Sequence, residues 1–263
     1  MNSNHTFFTS ILKRLSALSD VPFELLTQQF WRDSPHFVPI LQSLIDKRHS
    51  LGPHLSPETH KLGIRAACPE PSCGLADKKG IHNCYEEKGT IKFLCPHHGA
   101  YVVNLKSRDH VQRLGFNTPL RNLMRILICS QDTSRSWLMC TGSDYAGFYQ
   151  EQLMWRLLET PAQAPLIIYA PQIVDWSGAK LSKSLYVQKG AYEYLRQAGL
   201  AYMLEVDTLL SKHGGIEALY DEVASWIAQP FRLFRSYSIE YMHAQLRARG
   251  MMFETKQSDL YHT

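Results

Sequence analysis

The chain of 263 residues is 44% hydrophobic and 20% charged, a composition that excludes intrinsic disorder and allows a sizeable buried core. Its formal net charge of +4 and its sequence pI of 8.7 are mildly basic. That balance is compatible with a phosphate-bearing partner but does not specify one. No apolar run approaches the roughly 20 residues that a membrane-spanning helix needs, so we expect no membrane partner.

The first 19 residues predict an amphipathic helix. They contain no acidic residue, include Lys13 and Arg14, and place apolar side chains at helical spacing. A mitochondrial presequence can have this pattern, and so can an ordinary first helix. Because two basic residues are few for a targeting signal, we expect a cytoplasmic protein, with a mitochondrial location as the alternative. The apolar positions are Phe7, Phe8, Ile11, Leu12, Leu15 and Leu18.

Residues 1–62 are predicted to form an amino-terminal helical segment. Residues 7–30 have the apolar spacing of one or two helices. The signal Asp33-Ser34-Pro35 begins another helix, which is expected to end near Arg48. Residues 49–59 are rich in Pro, Ser and Gly, and this composition predicts a loop.

Two cysteine-containing turns predict a zinc unit over residues 63–110. The sequence CPEPSCG begins at Cys68 and the sequence CPHHG begins at Cys95; each has a ligand, a turn with proline, a second ligand and a glycine. Cys68, Cys73, Cys95 and His98 would hold a structural Zn²⁺ tetrahedrally. The stretch TIKFL, which ends just before the second turn, alternates like a strand of a zinc ribbon.

The choice of these four ligands leaves alternatives open. The first cysteine pair is spaced more widely than the usual two intervening residues, and Cys84 or His97 could replace a ligand. A cluster of buried thiols and surface histidines is the simpler interpretation. Six cysteines are present and no apolar secretory segment precedes them, so metal binding is favoured over disulfides.

Residues 111–200 are predicted to contain half of a nucleotide-binding α/β core. The apolar run WLMCT, residues 137–141, predicts a buried strand that ends at Gly142-Ser143-Asp144. A second apolar run, residues 165–169, predicts the next strand. A helix is expected between the two strands. Its apolar positions would include Phe148, Leu153, Trp155 and Leu158.

Residues 201–263 are predicted to form a carboxyl-terminal helical segment. Helices are expected over residues 189–198, 215–228 and about 231–249, from the spacing of their apolar residues. The last ten residues are expected to be frayed.

A basic loop follows the second predicted strand. Lys180, Lys183, Ser182 and Ser184 provide two ammonium groups and two hydroxyls, and Gly178 gives the loop freedom to close. Flexible positive charge beside small donors suits a phosphate group. A solvated basic turn is the alternative, because five-residue motifs recur by chance. The segment after the first strand has its own simple interpretation, since Ser143 or Asp144 could act as a helix N-cap.

The segment Lys180-Leu181-Ser182-Lys183-Ser184 resembles the K-M-S-K-S signature of class I aminoacyl-tRNA synthetases, with leucine in place of methionine. The resemblance implies that Lys180 and Lys183 contact the phosphates of ATP. In catalysis they would neutralise the charge that develops on the leaving pyrophosphate. By the same resemblance, Ser182 and Ser184 shape the loop around ATP.

The segment Gly142-Ser143-Asp144 is similar to the Gly-x-Asp segments with which that family binds the ribose of ATP. This similarity implies that Gly142 permits close approach of the backbone and that Asp144 accepts both ribose hydroxyls. With the zinc unit upstream, the order of motifs over roughly residues 30–190 looks like the class I type of lysyl-tRNA synthetase.

That resemblance also implies a fold and a set of cofactors. The fold would be α/β, a partial Rossmann-like nucleotide-binding fold with a short parallel sheet, a zinc-ribbon insertion and helical ends. Zn²⁺ would be structural, ATP would be a substrate, and Mg²⁺ could accompany the ATP.

Two features of the family are not found in the sequence: the H-I-G-H signature and a tryptophan-rich segment before the Gly-x-Asp strand. The stretch HSLGPH, residues 49–54, has the wrong spacing. Because adenylation needs charges on both sides of its transition state, we expect a protein that binds ATP or an aminoacyl adenylate but is not catalytically self-sufficient. Another chain would supply the missing half-fold, and tRNA is a candidate partner.

Two other functions are consistent with the same residues. The protein could be a non-catalytic, zinc-containing paralogue that binds RNA, nucleotide or protein. It could also be a zinc-stabilised structural protein in which the lysine-serine match arose by chance.

Overall fold

The computed structural model describes residues 3–86, 89–148, 154, 157, 163–182 and 190–252. The helices are α1 (Ser3–Ser19), α2 (Gln28–Arg32), α3 (Phe37–Asp46), α4 (Arg48–Leu55), α5 (Arg108–Gln112), α6 (Thr118–Ser130), α7 (Glu193–Gln197), α8 (Val206–Ser211), α9 (Gly215–Ala228) and α10 (Ile239–Ala248). Short 3₁₀ helices span Ser143–Tyr145, Ala201–Met203 and Pro230–Phe234.

The strands form small sheets. They are β1 (Ile64–Ala66), β2 (Cys84–Glu86), β3 (Thr90–Cys95), β4 (Gly99–Asn104), β5 (Leu114–Phe116), β6 (Leu138–Gly142), β7 (Leu166–Ala170), β8 (Ile173–Val174) and β9 (Tyr237–Ser238). Strand β1 pairs with β5. A three-stranded sheet contains β2, β3 and β4, in that order. Strand β6 pairs with β7, and β8 pairs with β9. The protein is therefore a mixed helix-and-sheet protein.

The chain divides into two compact units. The cysteine unit comprises Leu26–Cys140 and Tyr145–Ile168, and the lysine unit comprises Met1–Leu25, Thr141–Asp144 and Tyr169–Thr263. The names refer to the two groups of functional residues described below.

Helices α3 and α6 pack together in the core of the cysteine unit. Their apolar faces include Leu41, Leu44, Leu120 and Leu123, all of which are buried. Helix α6 begins at a defined cap, because the Asn117 side chain accepts a hydrogen bond from the backbone N–H of Leu120 at 3.0 Å. Burial of these leucines stabilises the helix pair by the hydrophobic effect.

Helix α4 lies where the sequence predicts a loop, so the prediction for residues 49–59 is wrong over most of its length. Leu51 and Leu55 are buried on this helix, and their burial outweighs the poor helix propensity of the Gly and Pro residues. Gly52 also has a packing role. A Cβ atom there would lie 2.2 Å from the carbonyl oxygen of His60, so only glycine allows this close approach.

The lysine unit is built around α9 and α10, which pack against each other. Helix α9 coincides with the predicted helix over residues 215–228. The predicted helix over residues 231–249 is only partly correct, since a 3₁₀ turn and strand β9 precede α10. Residues 237–238 form strand β9 and not helix because they pair in parallel with β8, in the register Ile173↔Tyr237.

A buried carboxylate holds the carboxyl-terminal part of this unit together. Glu222 on α9 is 0% exposed. It accepts hydrogen bonds from Trp226 Nε1 at 2.7 Å, Arg232 at 2.7 Å and Arg249 Nε at 2.8 Å. Two guanidinium groups on one carboxylate compensate its burial, as a charge inside a protein requires.

The two strands predicted between residues 137 and 169 are present, each displaced by one residue, as β6 and β7. The prediction that the first strand is buried is wrong, because Leu138 and Cys140 of β6 are exposed. Of the helix predicted between them, Phe148 is described, whereas Leu153, Trp155 and Leu158 lie outside the described residues. The last ten residues, which were expected to be frayed, also lie outside them. Within the described part of the chain, no helix has the length and apolar character required to cross a membrane.

Candidate functional site

The cysteine unit brings together the four ligands that the sequence predicts. The ligand atoms of Cys68, Cys73, Cys95 and His98 all lie within 4.8 Å of one another. His98 Nδ1 is 3.6 Å from the sulfurs of both Cys68 and Cys95, and the sulfurs of Cys73 and Cys95 are 3.7 Å apart. This Cys₃His cluster could hold a metal ion.

A β-hairpin presents the second ligand pair. Cys95 ends β3 and pairs with Gly99, the first residue of β4, so His98 lies in the tight turn between them. Gly99 has a φ of 75°, and Gly74, which follows the first pair, has a φ of 61°. These left-handed conformations strain any side-chain-bearing residue, so the glycine after each pair is a requirement of the turn.

The first ligand pair is fixed to the hairpin by two hydrogen bonds. The Tyr101 hydroxyl on β4 donates to the carbonyl of Ala66 at 2.6 Å, and Arg113 donates to the carbonyl of Ala67 at 2.6 Å. The Arg113 guanidinium also lies over the Tyr101 ring, 5.7 Å from its centroid. These contacts hold the backbone just before Cys68 in place.

The thiols of the cluster have different proton affinities. Burial raises the pKa of the Cys95 thiol. Its sulfur, however, accepts hydrogen bonds from the backbone N–H groups of His97 and His98, and it also has side-chain hydrogen bonds with His98 and Cys73. Together they outweigh burial and lower the pKa of Cys95 to about 6. Burial, assisted by Cys95 and Cys73, raises the pKa of Cys68 against an opposing backbone hydrogen bond from Glu70. The site therefore already favours one thiolate, the form that binds metal.

The two alternative ligands are outside this cluster. Cys84 is exposed at the start of β2, and its sulfur contacts the carbonyl oxygen of His82 at 3.9 Å. His97 packs its ring against that of His98, with the ring centroids 6.3 Å apart. Among the described residues, the cluster that could hold a metal contains Cys68, Cys73, Cys95 and His98.

The lysine unit brings together the two predicted nucleotide-binding segments. Lys180 Nζ donates to Asp144 Oδ2 at 2.7 Å. The lysine and aspartate side chains are 44% and 34% exposed, so solvent reaches both partners. The basic loop and the Gly-x-Asp segment therefore face one another within a single unit.

Strand β6 and the 3₁₀ turn that follows it position the aspartate. β6 ends at Gly142, and the turn Ser143–Tyr145 carries Asp144 back over the end of the strand. A Cβ atom on Gly142 would lie 2.4 Å from Asp144 Oδ1. A side chain at this position would displace the carboxylate, which lies directly against the backbone.

A compact turn built by Asp175 positions the lysine. Asp175 Oδ1 accepts hydrogen bonds from the backbone N–H groups of Ser177 and Ala179, at 2.9 and 3.0 Å, and from the Ser177 hydroxyl at 2.6 Å. The hydrogen bond from Ser177 is the main cause of a lowered pKa for Asp175. Gly178 takes the left-handed conformation, with a φ of 80°. The turn leads directly into Lys180, whose backbone is bridged to the end of β8.

A pocket of about 410 Å³ opens beside the ion pair, and all of its lining residues belong to the lysine unit. Gly142, Asp144 and Lys180 form its polar side. Glu205 is a further acidic group on the wall and pairs with Arg196. The apolar lining includes Ile173, Leu181, Tyr202, Met203, Leu209 and Leu246.

The other residues predicted to bind ATP are Ser143, Ser182, Lys183 and Ser184. Ser143 lies in the 3₁₀ turn, and the backbone N–H of Ser182 donates to the hydroxyl of buried Tyr192 at 3.0 Å. This bond fixes the middle residue of the basic loop to the core. Lys183 and Ser184 lie outside the described residues.

Sequence reasoning missed the apolar wall of the pocket. Tyr202 and Leu209 contribute to it from the carboxyl-terminal helical segment. The Tyr202 hydroxyl is 2.6 Å from His243 Nδ1, which fixes the ring. No local motif identifies these residues, since their role depends on tertiary packing.

No known family model matches the sequence, and no curated protein matches it significantly.

Proposed function

We propose that the lysine unit binds ATP or an aminoacyl adenylate in the manner of class I aminoacyl-tRNA synthetases, most like the lysyl type. The observation that supports this most directly is the 2.7 Å contact between Lys180 Nζ and Asp144 Oδ2. Two segments that the family resemblance assigns to the phosphates and the ribose of one ligand lie side by side. In this proposal the strands β6 and β7 belong to a partial Rossmann-like sheet.

Binding requires the ion pair to open. Asp144 would exchange the ammonium group for two ribose hydroxyls, and Lys180 would turn to a phosphate. Because both side chains are partly exposed, the pair contributes roughly 0–1 kcal/mol to stability. A ligand that satisfies both charges therefore replaces the contact at small cost, and gains charge-assisted hydrogen bonds.

The pocket suits the remainder of such a ligand. Its volume of about 410 Å³ is within the range of small-molecule sites. Its apolar wall, with Tyr202 and Leu181 on it, can receive an adenine ring or an apolar amino-acid side chain by burial of apolar surface. The charged groups of Asp144 and Lys180, beside a mostly apolar lining, suit a nucleotide.

We further propose that the Cys₃His cluster holds a structural Zn²⁺. Zinc bonds of about 2.3 Å to sulfur and about 2.0 Å to nitrogen, arranged tetrahedrally, place two sulfurs about 3.8 Å apart and sulfur and nitrogen about 3.5 Å apart. The corresponding distances here are 3.7 Å and 3.6 Å. Four protein ligands complete the tetrahedron, so the ion would stabilise the fold and have no open position for a substrate.

The catalytic part of the proposal concerns Lys180 and Lys183, which would neutralise negative charge as pyrophosphate leaves. Adenylation depends on groups that act as a unit, so a site with one part of the charge arrangement retains little of the rate. The expected activity is therefore ligand binding, with adenylation only where a partner chain completes the site. A non-catalytic role in RNA or protein binding is the alternative.

Nucleotide titration tests the binding proposal. Wild type, Lys180→Gln, Asp144→Asn and the control Lys13→Gln, which removes an exposed charge on α1, would be titrated with ATP and with a non-hydrolysable adenylate analogue. We expect both site variants to bind roughly tenfold or more weakly, because each loses a charge-assisted hydrogen bond, and the control to bind like wild type. Absence of binding by wild type at millimolar concentration overturns the proposal.

ATP–pyrophosphate exchange separates catalysis from binding. Purified protein would be assayed with each amino acid in turn, beginning with lysine. Exchange that disappears in Lys183→Ala would demonstrate adenylation by this chain. Nucleotide binding without exchange would assign it a binding role.

A further inference from the structure

Three arginines line one small pocket in the cysteine unit. Arg32 is the last residue of α2, and Arg121 and Arg125 lie four residues apart on α6, on the same face of that helix. Trp31 and Gln28 also line the pocket. The fold thus places three positive charges around one cavity.

In the described part of the chain, no carboxylate forms an ion pair with these three arginines. Within the described residues, the Arg32 guanidinium donates to the carbonyl of Leu114 at 2.6 Å, and that of Arg121 donates to the Thr118 hydroxyl at 3.2 Å. Arg125 lies over the Trp31 ring, 5.5 Å from its centroid. All of these partners are neutral.

Each of the three guanidiniums also has a buried donor that finds no partner among the described residues. These donors are the Nε atoms of Arg32, Arg121 and Arg125. Buried polar groups are nearly always satisfied, so this concentration at one pocket indicates an acceptor that the described part of the chain does not supply.

Burial makes the unpaired charges unfavourable. It lowers the pKa of Arg32 and, with a smaller contribution from the charge of Arg121, the pKa of Arg125. Like charges four residues apart on a helix repel one another. A bound anion would relieve both effects.

We propose that Arg32, Arg121 and Arg125 form a binding site for a phosphate group attached to an aromatic base, which is the chemistry of a nucleotide, free or within RNA. Guanidinium forks match the geometry of phosphate oxygens and form paired, charge-assisted hydrogen bonds with them. Three forks around one cavity can surround a phosphate on several sides.

An adjoining pocket supports the aromatic part of the ligand. It has a volume of about 580 Å³ and shares Trp31 and Ile128 with the arginine pocket. Phe30 and Trp137 also line it, and the rings of Trp31 and Trp137 are 6.3 Å apart. The arginine pocket itself holds about 10 Å³, so the flexible arginine side chains must move outward to admit a phosphate. The base would then stack in the aromatic pocket.

Phosphate binding by this site can be measured separately from binding at the lysine unit. The 263-residue chain carrying Lys180→Gln would be titrated at constant ionic strength with pyrophosphate, with AMP and with a single-stranded oligoribonucleotide. Tryptophan fluorescence and the melting temperature would report binding. Arg121→Gln and Arg125→Gln would be added to this background. Lys106→Gln, an exposed charge of the same unit that does not line the pocket, is the matched control.

We expect AMP or the oligoribonucleotide to bind more tightly than pyrophosphate, and each arginine substitution to weaken binding roughly tenfold or more. AMP binding identifies a free nucleotide as the ligand, and binding of the oligoribonucleotide alone identifies RNA. If Arg125→Gln fails to fold because it loses the Trp31 contact, Arg121→Gln, whose described hydrogen bond is to Thr118 of its own helix, gives the result. Failure of all three ligands to bind, or equal binding by the arginine variants and Lys106→Gln, overturns the proposal.

Discussion

Lys180 and Asp144, separated by 36 positions in the sequence, are joined by a 2.7 Å contact between Nζ and Oδ2. The two residues come from structurally different elements: a 3₁₀ turn after β6 and a loop folded by Asp175. Their contact lies at the edge of an apolar pocket. This part of the lysine unit therefore has charged groups, a closely approached backbone and an apolar surface. The proposed nucleotide site requires all three.

Gly142→Ala should disturb this contact. The new methyl group would lie 2.4 Å from Asp144 Oδ1, so the carboxylate must turn away. Because the carboxylate is partly exposed and can move, we expect a loss of stability of about 1 kcal/mol or less, with a roughly tenfold loss of ATP affinity. ATP titration and urea unfolding would measure the two effects.

Gly115→Ala is a suitable control for that substitution. The atoms nearest to its Cβ would belong to the flexible side chain of Arg65, with Nε at 3.0 Å, and Gly115 belongs to the cysteine unit. ATP affinity should be unchanged in this variant. Equal ATP affinities for Gly142→Ala and wild type would show that the carboxylate position does not matter for nucleotide binding.

Metal removal should unfold the hairpin of the cysteine unit. Binding of structural zinc contributes on the order of 10 kcal/mol in small zinc domains, and the described cluster has four protein ligands. We therefore expect Cys73→Ser, or treatment of wild type with a strong chelator, to abolish bound metal and to lower the melting temperature. Elemental analysis and thermal unfolding would measure these changes.

Cys84→Ser provides the matched control, since Cys84 is exposed and lies outside the cluster. It should retain one equivalent of metal and the melting temperature of wild type. Loss of metal in Cys84→Ser, with retention in Cys73→Ser, would reverse the ligand assignment.

Glu222→Gln should be severely destabilising. The substitution keeps the size of the side chain but leaves Arg232 and Arg249 facing a neutral amide in a site where Glu222 is 0% exposed. Breaking a buried pair in this way costs about 3–5 kcal/mol. The free energy of unfolding in urea is the quantity to measure.

Glu217→Gln, on the same helix, isolates the effect of burial. Its ion pair with Arg14 is 3.4 Å long, and the Glu217 side chain is 44% exposed, so its loss should cost about 1 kcal/mol or less. Similar costs for the two substitutions would mean that Glu222 does not organise this part of the protein.

The stability of the lysine unit should fall in mild acid because of His243. Burial, with a smaller effect from the charge of Arg247, lowers the pKa of His243 below its ordinary value of 6.5. The unfolded-state pKa of a histidine is about 6.5. Because the folded-state pKa is lower, the neutral His243 contributes its full stabilisation above pH 6.5, and this stabilisation is lost as the pH falls through the folded-state pKa. In the tautomer whose Nδ1 carries no proton, Nδ1 accepts from the Tyr202 hydroxyl, and protonation of the ring removes that acceptor.

The measurement is the free energy of unfolding between pH 7.5 and pH 5. His243→Gln should show a shallower decline than wild type, whereas His213→Gln, at an exposed position, should decline as wild type does. Identical pH dependence of wild type and His243→Gln would exclude this histidine as the cause.

The four candidate metal ligands were predicted correctly from the sequence as one cluster. Cys68, Cys73, Cys95 and His98 were predicted from spacing alone, and the structure brings them within 4.8 Å of one another. The information is local, because each turn carries its own ligands, proline and glycine. Strands β6 and β7 were predicted for the same reason, from short apolar runs that end at turn residues.

Helix α4 and strand β9 could not be predicted from local sequence patterns. The composition of residues 49–59 indicates a loop, but burial of Leu51 and Leu55 makes it a helix. Strand β9 interrupts a predicted helix because β8 is available as a partner. In both cases a contact distant in sequence outweighs propensity.

The sequence by itself determined which residues can bind metal and which carry charges suited to a phosphate, since those properties depend on side-chain chemistry and short spacings. Only the tertiary structure decided that Lys180 meets Asp144, that Glu222 gathers two arginines, and that Arg32 joins Arg121 and Arg125. The physical reason is that the energy of a charge depends on its neighbours and its exposure to water. Those neighbours are fixed by the packing of elements that are far apart in the chain.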